Sequence, residues 1–245
     1  MLATVTVKDG SGTQRAQTTY SYDVGSPASS GIGAAQQHDP SPPTGTARGN
    51  PTSVHRWLNT TGAFLVSNST FFDTGTVQSA TDPNGDATIF AYSAAYEGAY
   101  PTTVTNALTQ VTTDTYDFNT GLLASTTDPN GQATNFTYDD MGRIVTTSYS
   151  DGGSSTITRQ ETTPPFSATL TKKITTSLNE VVTNVFDGLG RVSQSEVTSD
   201  PNGTTYTAVV YDGLGRKGTV YNPTRCNPPT TNCGESTVGI KNVWI

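Results

Sequence analysis

This sequence is poor in charge. Asp, Glu, Lys and Arg make up only 13% of its 245 residues, and they leave a formal net charge of −7. That balance argues against nucleic acid and anionic membrane surfaces, which require clustered Lys and Arg. Apolar residues are also few, at 32%, and no run approaches the ~18 needed for a membrane-spanning helix. No window is rich enough in Ala, Leu, Glu and Lys to build a long helix. Met1 to Val7 alternates like a strand and does not read as a signal peptide, so any export signal would lie outside this chain. The two histidines, His38 and His55, cannot form a metal site with two cysteines held in a distant loop. Neither histidine is accompanied by a Gly-x-Ser-x-Gly elbow, and no phosphate-cradling glycine loop precedes a helix.

Thr, Ser, Asn and Gly fill the space these absences leave, with 24 Gly and 14 Pro. Thr with Val and Tyr favours strands, and dense Gly and Pro favour turns. The composition is all-β.

One hexapeptide organises the chain. Phe186-Asp187-Gly188-Leu189-Gly190-Arg191 recurs as Tyr211-Asp212-Gly213-Leu214-Gly215-Arg216, and more loosely as Tyr138-Asp139-Asp140-Met141-Gly142-Arg143. Weaker copies keep only the aromatic-Asp pair, at Tyr22-Asp23, Phe72-Asp73 and Tyr116-Asp117. Physically, the aromatic is a half-buried strand residue and the Asp closes a turn by accepting an amide two residues on. The second glycine takes a positive φ at no steric cost. The Arg opens the return strand, placed to stack on an aromatic or pair with an Asp.

A second marker alternates with the first: Asp82-Pro83-Asn84-Gly85, Asp128-Pro129-Asn130-Gly131 and Asp200-Pro201-Asn202-Gly203. Turn starts then fall at 59, 82, 106, 128, 151, 176 and 200, a step of about 23 residues. Each unit reads as turn, strand, aromatic-Asp turn, strand. Residues 1–245 form one repeat region, interrupted by a flexible Gly/Ser/Pro-rich loop at 25–50 and a cysteine loop at 223–235. Cys226 and Cys233 are near enough in sequence for a local disulfide, which would indicate an oxidising compartment; two free thiols are the alternative. Residues 236–245 read as the first strand of a further repeat, so a fragment of a longer protein is expected.

These residues resemble the YD-repeat, or Rhs-repeat, family. The matching positions are Tyr138, Asp139, Gly142 and Arg143; Phe186, Asp187, Gly190 and Arg191; and Tyr211, Asp212, Gly215 and Arg216, with Asp-Pro-Asn-Gly turns between them. The resemblance implies repeated antiparallel β-hairpins forming a curved, spiralling open sheet, part of a β-shell. In bacterial toxins, including Tc toxins, such a shell encloses a C-terminal toxic polypeptide; in teneurins it belongs to an adhesion ectodomain. The core-associated region and self-cleavage site that accompany the family's toxins are not recognisable here.

The resemblance therefore implies a secreted or surface-associated, non-catalytic wall module. Its partners would be a cargo polypeptide or further shell repeats, and an adhesive or carbohydrate-binding module is the alternative. No catalytic residue, metal ligand or cofactor is expected. Asp82-Pro83-Asn84-Gly85-Asp86 has its glycine fourth, not sixth as in an EF-hand loop, and Ser93 stands where the twelfth-position carboxylate belongs. The carboxylates outside turns (Glu97, Glu161, Glu180, Glu196 and Glu235) are scattered by repeat phase, unlike a glycosidase pair.

Overall fold

The computed structural model describes residues 1, 3–32, 48–227 and 239–241, the last three as strand path only. His38, Cys233 and Glu235 therefore lie outside the described residues, as do most of the 25–50 loop and the later part of the cysteine loop. The chain divides into two compact units, Met1–Ala133 and Thr134–Ile245. Both are built from the same hairpin.

Unit 1 carries β1 (Thr4–Lys8), β2 (Gln14–Tyr22), β3 (Pro51–Trp57), β4 (Phe64–Phe71), β5 (Val77–Thr81), β6 (Ala87–Tyr92), β7 (Pro101–Thr105), β8 (Val111–Tyr116) and β9 (Leu123–Thr127). Each is antiparallel to the next in an uninterrupted meander from β1 to β9. The only helical element among the described residues is a single 3₁₀ turn, Ala94–Tyr96, between β6 and β7. Unit 2 continues with β10 (Ala133–Tyr138), β11 (Ile144–Tyr149), β12 (Ser154–Gln160), β13 (Ser167–Lys173), β14 (Asn179–Phe186), β15 (Val192–Val197), β16 (Thr205–Tyr211), β17 (Lys217–Tyr221) and β18 (Gly239–Lys241). These strands form the same antiparallel meander from β10 to β18.

Successive turns of a meander alternate between two edges of its sheet. In each unit the aromatic-Asp turns therefore share one edge, and the Asp-Pro-Asn-Gly turns share the other. The edges differ in register. Pairing shifts by one residue beside Tyr22, Phe71, Tyr92, Tyr116, Tyr138, Phe186 and Tyr211. No shift occurs in the β5–β6, β7–β8 or β11–β12 ladders, although β1–β2 also carries one. A bulge adds a residue to one strand and increases its twist, which re-aims the neighbouring side chain. Here that side chain is the strand-terminal aromatic.

Opposite faces of unit 2 differ in kind. Ladder partners place Phe136, Ile157, Leu170, Val182, Val197 and Val209 on one face. The other is richer in Ser and Thr, with the Thr169 and Thr183 hydroxyls in contact at 2.8 Å, though it also carries Val181, Val185 and Ala208. Among the described residues of the unit, no second layer covers either face. Among the described residues, the buried hydrophobic side chains are Ala208 and Cys226.

The boundary segments of the 25–50 loop are tied to the sheet. Asp23 takes φ 53° and its carboxylate accepts the Gly49 and Asn50 amides at 2.8 and 3.0 Å. Ala28 bridges Phe72 in parallel, and the Ser30 amide donates to the buried Asp73 carboxylate at 3.0 Å. This corrects one repeat. The hairpin that should begin at Asp73 closes instead through Phe72, whose amide donates to the Thr76 carbonyl at 2.8 Å. Phe71 is the strand-terminal aromatic, Phe72 occupies the usual Asp position, and Asp73 turns inward to hold the loop.

Candidate functional site

The residues of the repeated hexapeptide form one clamp, built three times. Asp139 Oδ1 accepts the Met141 amide at 3.0 Å and the Arg143 amide at 2.9 Å, while the Arg143 Nε–H returns to Asp139 Oδ2 at 2.8 Å. Asp187 holds the Leu189 and Arg191 amides at 2.9 and 3.0 Å and the Arg191 Nε–H at 2.8 Å. Asp212 holds the Leu214 and Arg216 amides at 2.9 Å each and the Arg216 Nε–H at 2.8 Å. In each, the second glycine donates back to the Asp carbonyl with positive φ: 73° at Gly142, 75° at Gly190 and 81° at Gly215.

The Asp-Pro-Asn-Gly turns share this amide clamp. Asp82 Oδ1 accepts from Asn84 and Asp86, and Asp128 Oδ1 from Asn130 and Gln132. Asn106 does the same for Leu108 and Gln110 with a neutral amide oxygen. The two markers are thus one turn, distinguished by the bulge and by what stands four residues on.

Hydrogen bonding keeps these carboxylates charged. The Arg143 backbone amide leads in holding Asp139 below the usual carboxylate range; the Arg191 side chain leads for Asp187 and the Arg216 amide for Asp212. Such carboxylates are poor proton donors near neutral pH.

The Arg191 and Arg143 clamps also reach toward the following repeat. The Arg191 guanidinium lies 4.1 Å from the centroid of the Tyr211 ring, and the Tyr211 hydroxyl donates to the Val192 carbonyl at 2.9 Å. In unit 1 the Tyr92 hydroxyl donates to the Val77 carbonyl at 2.9 Å and the Tyr116 hydroxyl to the Pro101 carbonyl at 3.0 Å. Val77, Pro101 and Val192 each pair with the strand-terminal aromatic of the preceding repeat, so the tie recurs at one structural position. Burial is the leading cause that pushes the Tyr92 and Tyr116 hydroxyls up, which keeps them protonated donors.

The repeat that lost its aromatic uses a different contact. The Arg143 guanidinium grips Glu161 through two hydrogen bonds, at 2.7 and 2.8 Å. Glu161 stands just beyond the end of β12, across from the start of β11, as Tyr211 stands across from Arg191. The sequence reading set Glu161 aside as a scattered carboxylate; the 18-residue interval from Arg143, near the 20 from Arg191 to Tyr211, is the signal that would have found it. Arg225 was also missed. It supports the Asp200 turn, with its Nε donating to the Asn202 carbonyl at 3.0 Å and its Nη2 to Asp200 Oδ2 at 3.0 Å. Cys226, next in sequence, is buried and disulfide-bonded. Thr224 pairs with Tyr206 through both backbone hydrogen bonds, fastening this segment to β16.

Beside Asp187 opens a cleft of about 440 Å³, lined by Glu161, Phe166, Phe186 and Asp187. Both of its carboxylates are already engaged by arginines, Glu161 by Arg143 and Asp187 by Arg191. His55 hydrogen-bonds the Ser53 hydroxyl at 2.8 Å, and the Phe64 ring packs on its other side. Among the described residues no group of three His, Cys, Asp or Glu is arranged to hold a metal. Nor is any helix among them long and apolar enough to cross a membrane. The arrangement fastens repeats to one another.

Residues 116–154, from the last residue of β8 to the first of β12, match the family described as RHS Repeat. No curated protein matches the chain in sequence. Several solved structures are similar in fold: TcdB2-TccC3 without its hypervariable C-terminal region (13% identity, 87% of this chain, TM-score 0.40), TcdB2-TccC3 (13%, 89%, 0.38) and TcdB2-TccC3-Cdc42 (15%, 86%, 0.39). This chain spans 16%, 18% and 16% of the length of those chains.

Proposed function

We propose that this chain is a non-catalytic wall segment of a β-shell built from Rhs repeats, which encloses or presents a polypeptide. The observation that carries the reading is the recurring tie between repeats. At Tyr92, Tyr116, Glu161 and Tyr211 a side chain near the end of one hairpin is bonded to the backbone or arginine of the hairpin before it, so these groups are engaged in supporting a neighbouring repeat. The match of residues 116–154 to the Rhs-repeat family supports the same reading. So does the apolar face of unit 2, which no second layer of described residues covers, because a single-layer sheet gains little until its apolar side is shielded from water.

On this reading the mechanism is confinement. Hydrogen-bonded strands resist proteases, and a passenger behind a wall of them stays out of contact with the outside. Secretion or surface display is part of the proposal, since a shell serves a passenger that has to be delivered. The test is limited proteolysis of the whole gene product. A passenger region that resists protease until the wall is unfolded is the expected result. A passenger digested as fast as the free polypeptide would overturn the reading.

A further inference from the structure

All three Asp-Pro-Asn-Gly turns expose an Asn-Gly pair, Asn84-Gly85, Asn130-Gly131 and Asn202-Gly203. Asn-Gly readily loses the asparagine amide, because glycine has no side chain to shield its own nitrogen. The chemistry is intramolecular. The glycine nitrogen gives up its proton and attacks the Asn Cγ, the Cγ–Nδ2 bond breaks, and ammonia leaves with that proton. Water then opens the resulting succinimide, leaving aspartate or isoaspartate. The rate depends on an asparagine side chain able to swing toward the glycine nitrogen, and on deprotonation of that nitrogen.

The third turn differs from the other two on both counts. Asn84 Nδ2 donates to Asp82 Oδ2 at 3.3 Å, and Asn130 Nδ2 to Asp128 Oδ2 at 3.5 Å. Asp200 Oδ2 is instead taken by the Thr205 hydroxyl at 2.9 Å and by Arg225 Nη2 at 3.0 Å. No described residue holds the Asn202 side chain. The backbone clamp is weaker as well. The Asp86 and Gln132 amides donate to their turn aspartates at 2.9 and 2.8 Å, whereas among the described residues Thr204 makes no matching bond. The glycine amides themselves are held alike, each by the turn Asp carbonyl: 3.0 Å at Gly85, 2.9 Å at Gly131 and 3.0 Å at Gly203. Arg225 supplies the remaining difference, since its Nε–H donates to the Asn202 carbonyl at 3.0 Å. When the Gly203 nitrogen loses its proton, the negative charge spreads onto that carbonyl oxygen. A guanidinium N–H already aimed there stabilises the anion.

We propose that Asn202-Gly203 is a self-modification site, at which Arg225 activates the Gly203 amide and Asn202 becomes aspartate or isoaspartate. Water is the only co-reactant and ammonia the only product released. The change is one-way. It adds a carboxylate beside Asp200 and, as isoaspartate, inserts a methylene into the backbone of the β15–β16 turn. Asn84 and Asn130, in the same tetrapeptide but without the guanidinium, stay amides for longer. This inference is independent of the wall-segment reading.

Peptide mapping by mass spectrometry tests this on the folded chain held in mildly alkaline buffer, by following amide loss at each of the three asparagines. Asn202 should react at least fivefold faster than Asn84 or Asn130. In urea the three rates should converge, because all three sites share Asp-Pro-Asn-Gly and only the fold distinguishes them. Arg225→Gln should slow Asn202 at least threefold and leave Asn84 and Asn130 unchanged. A variant that merely loosened the turn would instead react faster at Asn202, so lost activation and lost structure are told apart. Equal rates at the three sites in the folded chain overturn the proposal. So does an Asn202 excess that persists in urea, or an Asn202 rate in Arg225→Gln that is unchanged or raised.

Discussion

At the scale of the residue, Asn106 shows which part of the clamp depends on charge. It holds two backbone amides just as the aspartates do, without a carboxylate. Asp187→Asn should therefore keep the turn and lose only the Arg191 pairing, whereas Asp187→Ala loses the amide bonds as well. The expected order of thermal midpoints, by calorimetry, is wild type, then Asn, then Ala. Backbone strain separates from contact at the glycines. A Cβ at Gly131, with φ 78°, meets nothing within 4 Å, so Gly131→Ala should cost about 1–2 kcal/mol, the ordinary penalty for a left-handed residue. Gly121, with φ 71°, would place its Cβ against the Tyr100 hydroxyl. Gly121→Ala should cost clearly more by urea denaturation, and equal costs would show that Tyr100 moves freely.

The element of this structure is the hairpin together with its tie to the one before. Removing the hydroxyl in Tyr92→Phe, Tyr116→Phe or Tyr211→Phe deletes one hydrogen bond to a neighbouring repeat and leaves the ring in place. Each should lower stability by about 0.5–1.5 kcal/mol in urea denaturation. Tyr211→Leu also removes the ring beneath Arg191 and should cost more than Tyr211→Phe. Hydrogen exchange should then rise in β15 and β16 rather than across the whole of unit 2. The hairpins, their period and the aromatic edge were legible in the sequence because turn chemistry is local: Asp, Gly and Arg act within five residues of one another. Phe72-Asp73 misled for the same reason. Its dipeptide matches the motif, but only the fold reveals that Ser30, 43 residues earlier, claims the Asp73 carboxylate.

For the whole molecule, the shared clamp produces a shared pH response. Asp9, Asp128, Asp139, Asp187 and Asp212 all have pKa values lowered in the fold, chiefly by hydrogen bonds from turn groups. An unfolded Asp titrates near about 3.9. The stability these groups contribute is therefore complete above about pH 4 and is lost as pH falls through their lower folded values, because the unfolded chain takes up protons first. Thermal midpoints measured from neutral pH downward should stay flat and then drop together at the acid end. An Asp139→Asn, Asp187→Asn, Asp212→Asn triple variant should show a shallower drop. A variant profile parallel to the wild type would mean these turns do not set acid stability. A glycan array, meanwhile, should return no binder if the tyrosine rings are committed to their neighbours.

From sequence alone one obtains an all-β chain of repeated hairpins, the position of nearly every turn, and a charge balance unsuited to nucleic acid. Those follow from composition and from interactions a few residues long. Which residues fasten one hairpin to the next was decided only by the tertiary structure. Arg143 with Glu161, Arg225 with Asp200, and a tyrosine hydroxyl with a carbonyl 15 residues away depend on strand register and on the bulges that re-aim side chains. Register is a property of paired strands, and no single stretch of the chain contains it.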